Sequence, residues 1–470
     1  MNDVDKHGLR PAWRVDLESV QGGRPERNRR LDISLRHTRV SWMRAVLAAL
    51  LLAVLLPGTL RAQGVRLRIE KGFGEKVRIA TPLFAASGTG IADAQGIREV
   101  LMFDLSNSGY FDLVQNLEFV DDVEGDDRRS GRIEFREWLA LGAEILVKGE
   151  FYAGLSEFSM EVTVYDLEQG RGIFARRYTS APGEWRVAVH RLSDEIVKRL
   201  TGEEGIAQTR IAFVSNATGT KEVYVMDYDG ANRRRLTREG RMSIYPDWFP
   251  DGAGIVYTSF VGSRQELHRI DVASGASARL TVFPGLNAFA AVSPDGRELV
   301  MTLSRDGNPE IYRLRADGTS PRRLTYGRST ESSPCWSPDG RRVAFVSDRS
   351  GRPQIYTMSS TGGTGERITF QGAYNTSPDW SPRGDLIAYT SQIEGVFQIC
   401  TVDVETKEVV RLTTGQKHKE DPTWAPDGRH IAYSQKSGGK SDLYMLDIYE
   451  MEPVKLTSGA GDYLGPAWSH

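Results

Sequence analysis

A period of 44 residues, kept through six copies without an insertion, limits what this chain can fold into more than any other feature. Short apolar segments open at Ile211, Ile255, Leu299, Val343, Ile387 and Ile431. In the same frame a Leu/Ile-Thr pair recurs at Leu236, Leu280, Leu324, Ile368, Leu412 and Leu456, and another strand-like segment opens at Val223, Leu267, Ile311, Ile355, Ile399 and Leu443. A Pro-Asp-Gly type turn follows Trp248, Val292, Trp336, Trp380 and Trp424, and Trp468-Ser469 begins a last copy. Pro presets φ and Gly tolerates positive φ, so each repeat reads as four short β-segments joined by tight turns. Four strands per repeat of this length is the signature of a propeller blade, and six copies predict a six-bladed β-propeller of four-stranded blades. The first copy, at Ile211, lacks the strand that precedes the others, whereas Gly465–Trp468 is a strand with no repeat after it. The two should pair and close the ring, which removes open sheet edges; a solenoid would instead need polar capping repeats.

Proline lacks an N–H and is tolerated in a sheet only at an edge. Pro246, Pro334, Pro378, Pro422 and Pro466 each precede the turn tryptophan by two residues, which places these strands innermost, along an axial channel. The tryptophans are expected to pack between blades. Just upstream, the segments Met242–Tyr245, Leu286–Phe289, Thr330–Ser333, Tyr374–Ser377, His418–Asp421 and Asp462–Gly465 vary while the framework repeats. A binding surface on a fixed scaffold has that pattern. Tyr245, Phe289 and Tyr374 are candidate aromatic anchors there, with Asn287, Glu331, Asn375, His418 and Glu420 as polar groups, a mixture suited to a protein partner.

Ahead of the repeats, residues 63–202 read as a small α/β domain, and residues 203–209 are a linker too short for a free tether. Strands are expected at Lys76–Phe84, Glu144–Phe151, Phe158–Tyr165 and Ile173–Tyr178. Ile97, Val100, Leu101 and Leu105 share a helical face, Ile133–Leu141 suggests a second helix, and Glu184–Leu200 a third, stopped by Thr201-Gly202. Residues 210–470 form the propeller. Upstream, Ala45–Leu56 is apolar, follows Arg44 and precedes Leu60-Arg61-Ala62, the proportions of a secretory signal cut after Ala62. Those proportions are normal only from Met43, so residues 1–62 read as a signal peptide with an upstream extension and Met43 as the start; an uncleaved anchor is the alternative.

Beyond Ala62 the chain has 49 Lys and Arg against 56 Asp and Glu, a sign that argues against a nucleic-acid partner. Two cysteines, Cys335 and Cys400, make neither a disulfide framework nor a metal cluster. Cys400 stands where other repeats have Tyr224, Tyr312, Tyr356 and Tyr444, so packing is its expected role and both thiols are expected to be free. There is no nucleophile elbow, zinc-binding His-Glu-x-x-His, P-loop or dinucleotide fingerprint. The five histidines beyond Ala62, His190, His268, His418, His430 and His470, have no ligand spacing. The reading is a binding protein without catalytic residues, metal or cofactor; a propeller enzyme or carbohydrate-binding protein with its site in the channel stays open as the alternative.

The strings RVAVHRLSDEI (186–196) and LTGEEGIAQTRIAFV (200–214), the turn DYDGAN (227–232) and the final PAWS (466–469) resemble the TolB family of periplasmic proteins. The resemblance implies a periplasmic, monomeric adaptor of the Tol-Pal system that is not membrane-embedded, links the inner-membrane Tol complex to the outer-membrane lipoprotein Pal, and supports outer-membrane integrity and constriction at division. It implies that Pal docks at the channel mouth. It also implies that TolA engages the segment after signal cleavage, here Gln63, Val65, Leu67 and Ile69, although Gln63–Lys76 departs from the family pattern.

Overall fold

The computed structural model describes residues 76–88, 93–130 and 132–470. The expected start, signal cleavage and the segment bearing Gln63, Val65, Leu67 and Ile69 lie outside the described residues.

Six four-stranded antiparallel sheets form the propeller. Blade 1 is closed by the end of the chain: Tyr463–Trp468 pairs with Arg210–Ser215, in the register Tyr463 to Ser215 and Trp468 to Ile211. Blades 2 to 6 follow in chain order, each starting with its innermost strand: Ser243–Trp248, Asn287–Val292, Glu331–Trp336, Asn375–Trp380 and Lys419–Trp424. The closing strand is tied further by Arg210 N–H to Ser469 Oγ (2.9 Å) and Trp468 Nε1–H to Thr209 Oγ1 (2.7 Å).

The repeated Leu/Ile-Thr pair has a physical cause. The Leu or Ile is buried in most blades, and the threonine hydroxyl accepts from a strand N–H that the sheet ladder leaves open: Thr237 from Val223, Thr325 from Ile311, Thr369 from Ile355, Thr413 from Ile399 and Thr457 from Leu443, at 2.8–3.0 Å. A buried N–H left unpaired would cost about 1–3 kcal/mol, so the pair recurs. The tryptophans do pack between blades, with indole N–H groups reaching the preceding blade's backbone: Trp248 to Ala467 O (2.9 Å), Trp336 to Ala291 O (3.1 Å) and Trp424 to Asp379 O (3.2 Å). Cys335 and Cys400 are both free and buried, and burial pushes the Cys400 thiol up to about 12.

In the N-terminal α/β region, Val77–Ala80 lies between Phe111–Leu113 and Ile145–Ala153, parallel to both. Phe158–Asp166 and Arg171–Ser180 extend the sheet antiparallel, and Ala85–Gly88 pairs with the far half of Ile145–Ala153. The helices Ala94–Ser106 and Trp185–Thr201 bury Ile97, Leu101, Leu105, Val189, Leu192 and Ile196 against this sheet. The first strand stops at Ala80, four residues short of expectation, and the expected helix at Ile133–Leu141 contracts to Phe135–Ala140. Leu117–Ser130 is a helix that hydrophobic periodicity does not reveal. Its inward side uses charge: Glu124 and Asp127 hold Lys148 Nζ at 2.7 and 2.8 Å, and Asp127 also accepts from Trp138 Nε1.

Side chains next to the turn aromatics lock neighbouring blades. Asp247 Oδ2 accepts the Val292 N–H of blade 3 and Asp379 Oδ2 the Trp424 N–H of blade 6, each at 2.7 Å, while Thr423 Oγ1 accepts the Trp468 N–H at 3.2 Å. Burial raises the Asp247 carboxyl to about 7 and Asp379 to about 6, against the ordinary 3.8. Folding therefore favours the protonated acids: their contribution is full below pH 3.8 and is lost as pH rises through about 6 to 7. Asp247→Asn keeps the acceptor and removes the titration, so it should stabilise the fold at pH 8, on the order of 1–2 kcal/mol, with little effect at pH 4. Melting curves across pH check this; an equal shift at both pH values would contradict it. Trp468→Ala should cost roughly 3–5 kcal/mol by emptying the closing seam, read by denaturant unfolding.

Candidate functional site: the aromatic mouth of the channel

All six innermost strands break register at the same place. The third residue of each has positive φ: Tyr245 (57°), Phe289 (54°), Ser333 (48°), Ser377 (50°), Asp421 (55°) and Gly465 (52°). The pairing with the second strand skips at this point in every blade, the mark of a β-bulge. Only glycine adopts this conformation without penalty, yet five of the six positions carry a side chain at a cost of about 1 kcal/mol or more each. The bulge turns those side chains into the channel. They line a cavity of about 630 Å³, with Pro246, Pro334, Pro378, Pro422 and Pro466 just beyond and the turn prolines Pro250, Pro294, Pro338, Pro382 and Pro426 at its far end.

At the near end the aromatics form two groups. Tyr245 packs against Phe289 with ring centroids 4.1 Å apart and the planes tilted by 38°. Burial, and then the charge of Asp421 in blade 6, raise the Tyr245 pKa. Tyr374 meets Phe397 edge-on at 6.0 Å, and Phe397 lies 5.6 Å from the His418 ring, whose Nδ1 accepts the Phe397 N–H. Tyr245 and Tyr374 are each 41% exposed, enough to meet a partner while held by a neighbouring ring. Between these groups Ser377 Oγ donates to Asp421 Oδ1 (2.8 Å), and burial raises both the Asp421 and the Glu420 carboxyls.

Three of the polar candidates do not face the mouth. Asn287, Glu331 and Asn375 are buried, because the first position of each innermost strand points back to hold the loop before it. Asn287 Nδ2 donates to Phe283 O and Gly285 O, and Asn375 Nδ2 to Gln354 Oε1 and Gln371 O. Glu331 Oε1 accepts from Ser329 and Ser347 and pairs with Arg349 at 3.0 Å. Sequence reasoning also passed over Phe397, Tyr326 and Phe370. Tyr326 and Phe370 are 75% and 63% exposed and directly follow Leu324-Thr325 and Ile368-Thr369, where blades 1, 5 and 6 have Arg238, Thr414 and Ser458. That contrast is the signal that could have found them.

The far end of the channel is where the N-terminal domain sits. Its contacts fall on the Pro-Asp-Gly turn of blade 6, where Arg429 Nη2 donates to Gly109 O (3.0 Å), and on the last turns of blades 6 and 1, through Lys76–Glu450 (2.6 Å) and Tyr228–Asp104 (2.6 Å). Antiparallel strands put those turns on one face and the aromatic mouth on the other. Among the described residues, the N-terminal domain makes its contacts on the face opposite the mouth.

Two family models cover most of the described chain: the TolB amino-terminal domain over residues 65–173 and the TolB beta propeller domain over residues 197–470. A Tol-Pal system protein TolB from Desulfosudis oleivorans is 36% identical over 225 residues, 47% of this chain and 51% of that protein. One of the same name from Syntrophotalea carbinolica is 38% identical over 177 residues, 37% of this chain and 41% of that protein. The chain thus spans about half the length of these curated relatives. The crystal structure of TolB from Acinetobacter baumannii superposes with a TM-score of 0.72 at 26% identity, covering 84% of this chain and 97% of that one. With the propeller model alone spanning more than half of the sequence, the six-bladed ring and the α/β region ahead of it are those of a TolB protein, and the chain belongs to the TolB family.

Proposed function

We propose that the chain is a periplasmic adaptor of the Tol-Pal system whose aromatic channel mouth receives the lipoprotein Pal, with Met43–Ala62 acting as the export signal and residues 1–42 as an extension upstream of the true start. The relatives carry the Tol-Pal name. The observation that carries the docking reading is local: five strained side chains are aimed into a mouth that the described residues of the N-terminal domain do not contact, and strain of this kind gathers at functional sites. In this reading Tyr245, Phe289 and Tyr374 anchor the partner, His418 and Glu420 supply polar contacts at the rim, and Asn287, Glu331 and Asn375 hold the loops that present them. TolA is assigned to the segment of Gln63, Val65, Leu67 and Ile69. Residues 63–202 form the domain toward TolA, 203–209 the linker, and 210–470 the Pal-binding propeller, in one monomeric chain that couples the inner-membrane Tol complex to the outer membrane and so supports its integrity and its constriction at division.

The adaptor carries out no chemistry in this reading. The channel's acids favour it over a catalytic channel: Asp247 and Asp379 each hold a backbone N–H of the next blade, so their oxygens serve blade packing. Calorimetric titration of soluble Pal is the test. Tyr374→Ala and Tyr245→Ala should each weaken binding by about 2 kcal/mol, roughly 30-fold, as expected for an aromatic anchor, with unchanged melting temperature. Glu331→Ala should instead lower the melting temperature. Wild-type affinity in both tyrosine variants would place Pal elsewhere.

A further inference from the structure

The N-terminal domain and blade 1 meet across a buried cluster of charge. Tyr228, fully buried at the tip of a blade 1 turn, donates its hydroxyl to Asp104 Oδ1 (2.6 Å), and its ring lies edge-on to Phe103 (5.9 Å) and His190 (5.8 Å). Asp104 Oδ2 accepts from Ser193 Oγ (2.7 Å) and lies 2.8 Å from His190 Nδ1. Ser193, Tyr228 and His190 thus converge on this one buried carboxyl. The other nitrogen of His190 has no hydrogen-bond partner, is buried, and faces Asp229 Oδ2 of blade 1 at 3.9 Å. A neutral imidazole would turn a lone pair toward that carboxylate; an imidazolium turns a positive N–H.

We propose that His190 is a proton-operated clamp between the two domains: the imidazolium bridges Asp104 of the N-terminal domain and Asp229 of blade 1, and loss of its proton loosens the contact.

The charges around the ring come from three elements. The Ala94–Ser106 helix contributes Asp104, the histidine's own helix Arg186 and Asp194, and the blade 1 turn Asp227, Tyr228 and Asp229. Arg186 pairs with Asp229, and the Arg210 guanidinium acts on Asp227. The proton on His190 adds a positive charge between Asp104 and Asp229. Asp104, His190 and Asp229 lie close enough to bracket a small cation, but Arg186 and the imidazole already give each carboxylate a positive partner. Burial would depress the histidine, yet the hydrogen bond to Asp104 and the charges of Asp104 and Asp229 outweigh it and raise its pKa above 6.5. The clamp is therefore fully formed below pH 6.5 and is lost as pH rises through the raised value.

Two readouts on the full chain test this between about pH 5.5 and pH 9.5. Imidazole NMR follows the protonation of His190, and spin labels at the exposed Leu155 and Tyr326 report the distance between the domains. The expected result is a narrow distance distribution at acid pH that broadens with the midpoint of the His190 titration. His190→Gln should be broad and insensitive to pH. His430→Gln, which removes the other raised, buried histidine, should keep the wild-type profile. A His190 midpoint below 6.5, a flat wild-type distance profile, or broadening that follows His430 would overturn the proposal; should His190→Gln fail to fold, coincidence of the two wild-type midpoints decides.

Discussion

The pairing of Tyr463–Trp468 with Arg210–Ser215 is the constraint on which the rest of this molecule depends. A propeller has no core at its axis, only a channel, so each blade is held by its two neighbours. Opening one junction exposes the Trp248 face of blade 2 as well as the edge of blade 1, because Trp248 Nε1 bonds to Ala467 O in the closing strand. Joining residues 259 apart in sequence carries a loop-closure cost that only long-range burial offsets. It is offset here by Trp468, Tyr463 and Ala467, all buried, and by hydrogen bonds to Thr209 and Arg210.

The bulged innermost strands give that ring a mouth whose side chains differ from blade to blade. An unbroken strand would alternate its side chains between neighbouring blades. One residue in the left-handed region turns the third side chain into the channel and lets proline follow at the edge, where its missing N–H leaves no bond unmade. The framework can thus repeat almost unchanged while Tyr245, Phe289, Ser333, Ser377, Asp421 and Gly465 give each sixth of the mouth its own chemistry. Ring closure and mouth geometry are linked because both reside on the same strand.

How much of this could be read in the sequence depended on whether a residue's role repeats. The blades, the closing strand and the inter-blade tryptophans were legible because the same physical requirement recurs every 44 residues. The site was legible only as a set of varying positions. Asn287, Glu331 and Asn375 vary as Tyr245 and Tyr374 do, and nothing in a single sequence tells a polar group aimed at solvent from one folded back onto a loop carbonyl. Tyr326 and Phe370 were missed because attention to the strands ignored the loops that follow the Leu/Ile-Thr pairs. The helix Leu117–Ser130 was hidden for a related reason: Glu124 and Asp127 face inward to meet Lys148, so its buried side looks like solvent-facing charge.

The two faces of the ring are built from opposite materials. The mouth presents aromatic rings, which bury area with little entropy lost. The face against the N-terminal domain relies on Arg429, Lys76, Glu450, Asp104, His190 and Tyr228, whose contacts weaken sharply when a distance or a proton changes. These contacts fall on blades 1 and 6, which flank the closing strand. Thr209, in the segment that joins the domains, receives the Trp468 indole N–H, while Trp468 also donates its backbone N–H to Thr423 in blade 6. The ring's last seam therefore lies beside the domain boundary, where one indole ties the closing strand to the segment that joins the domains.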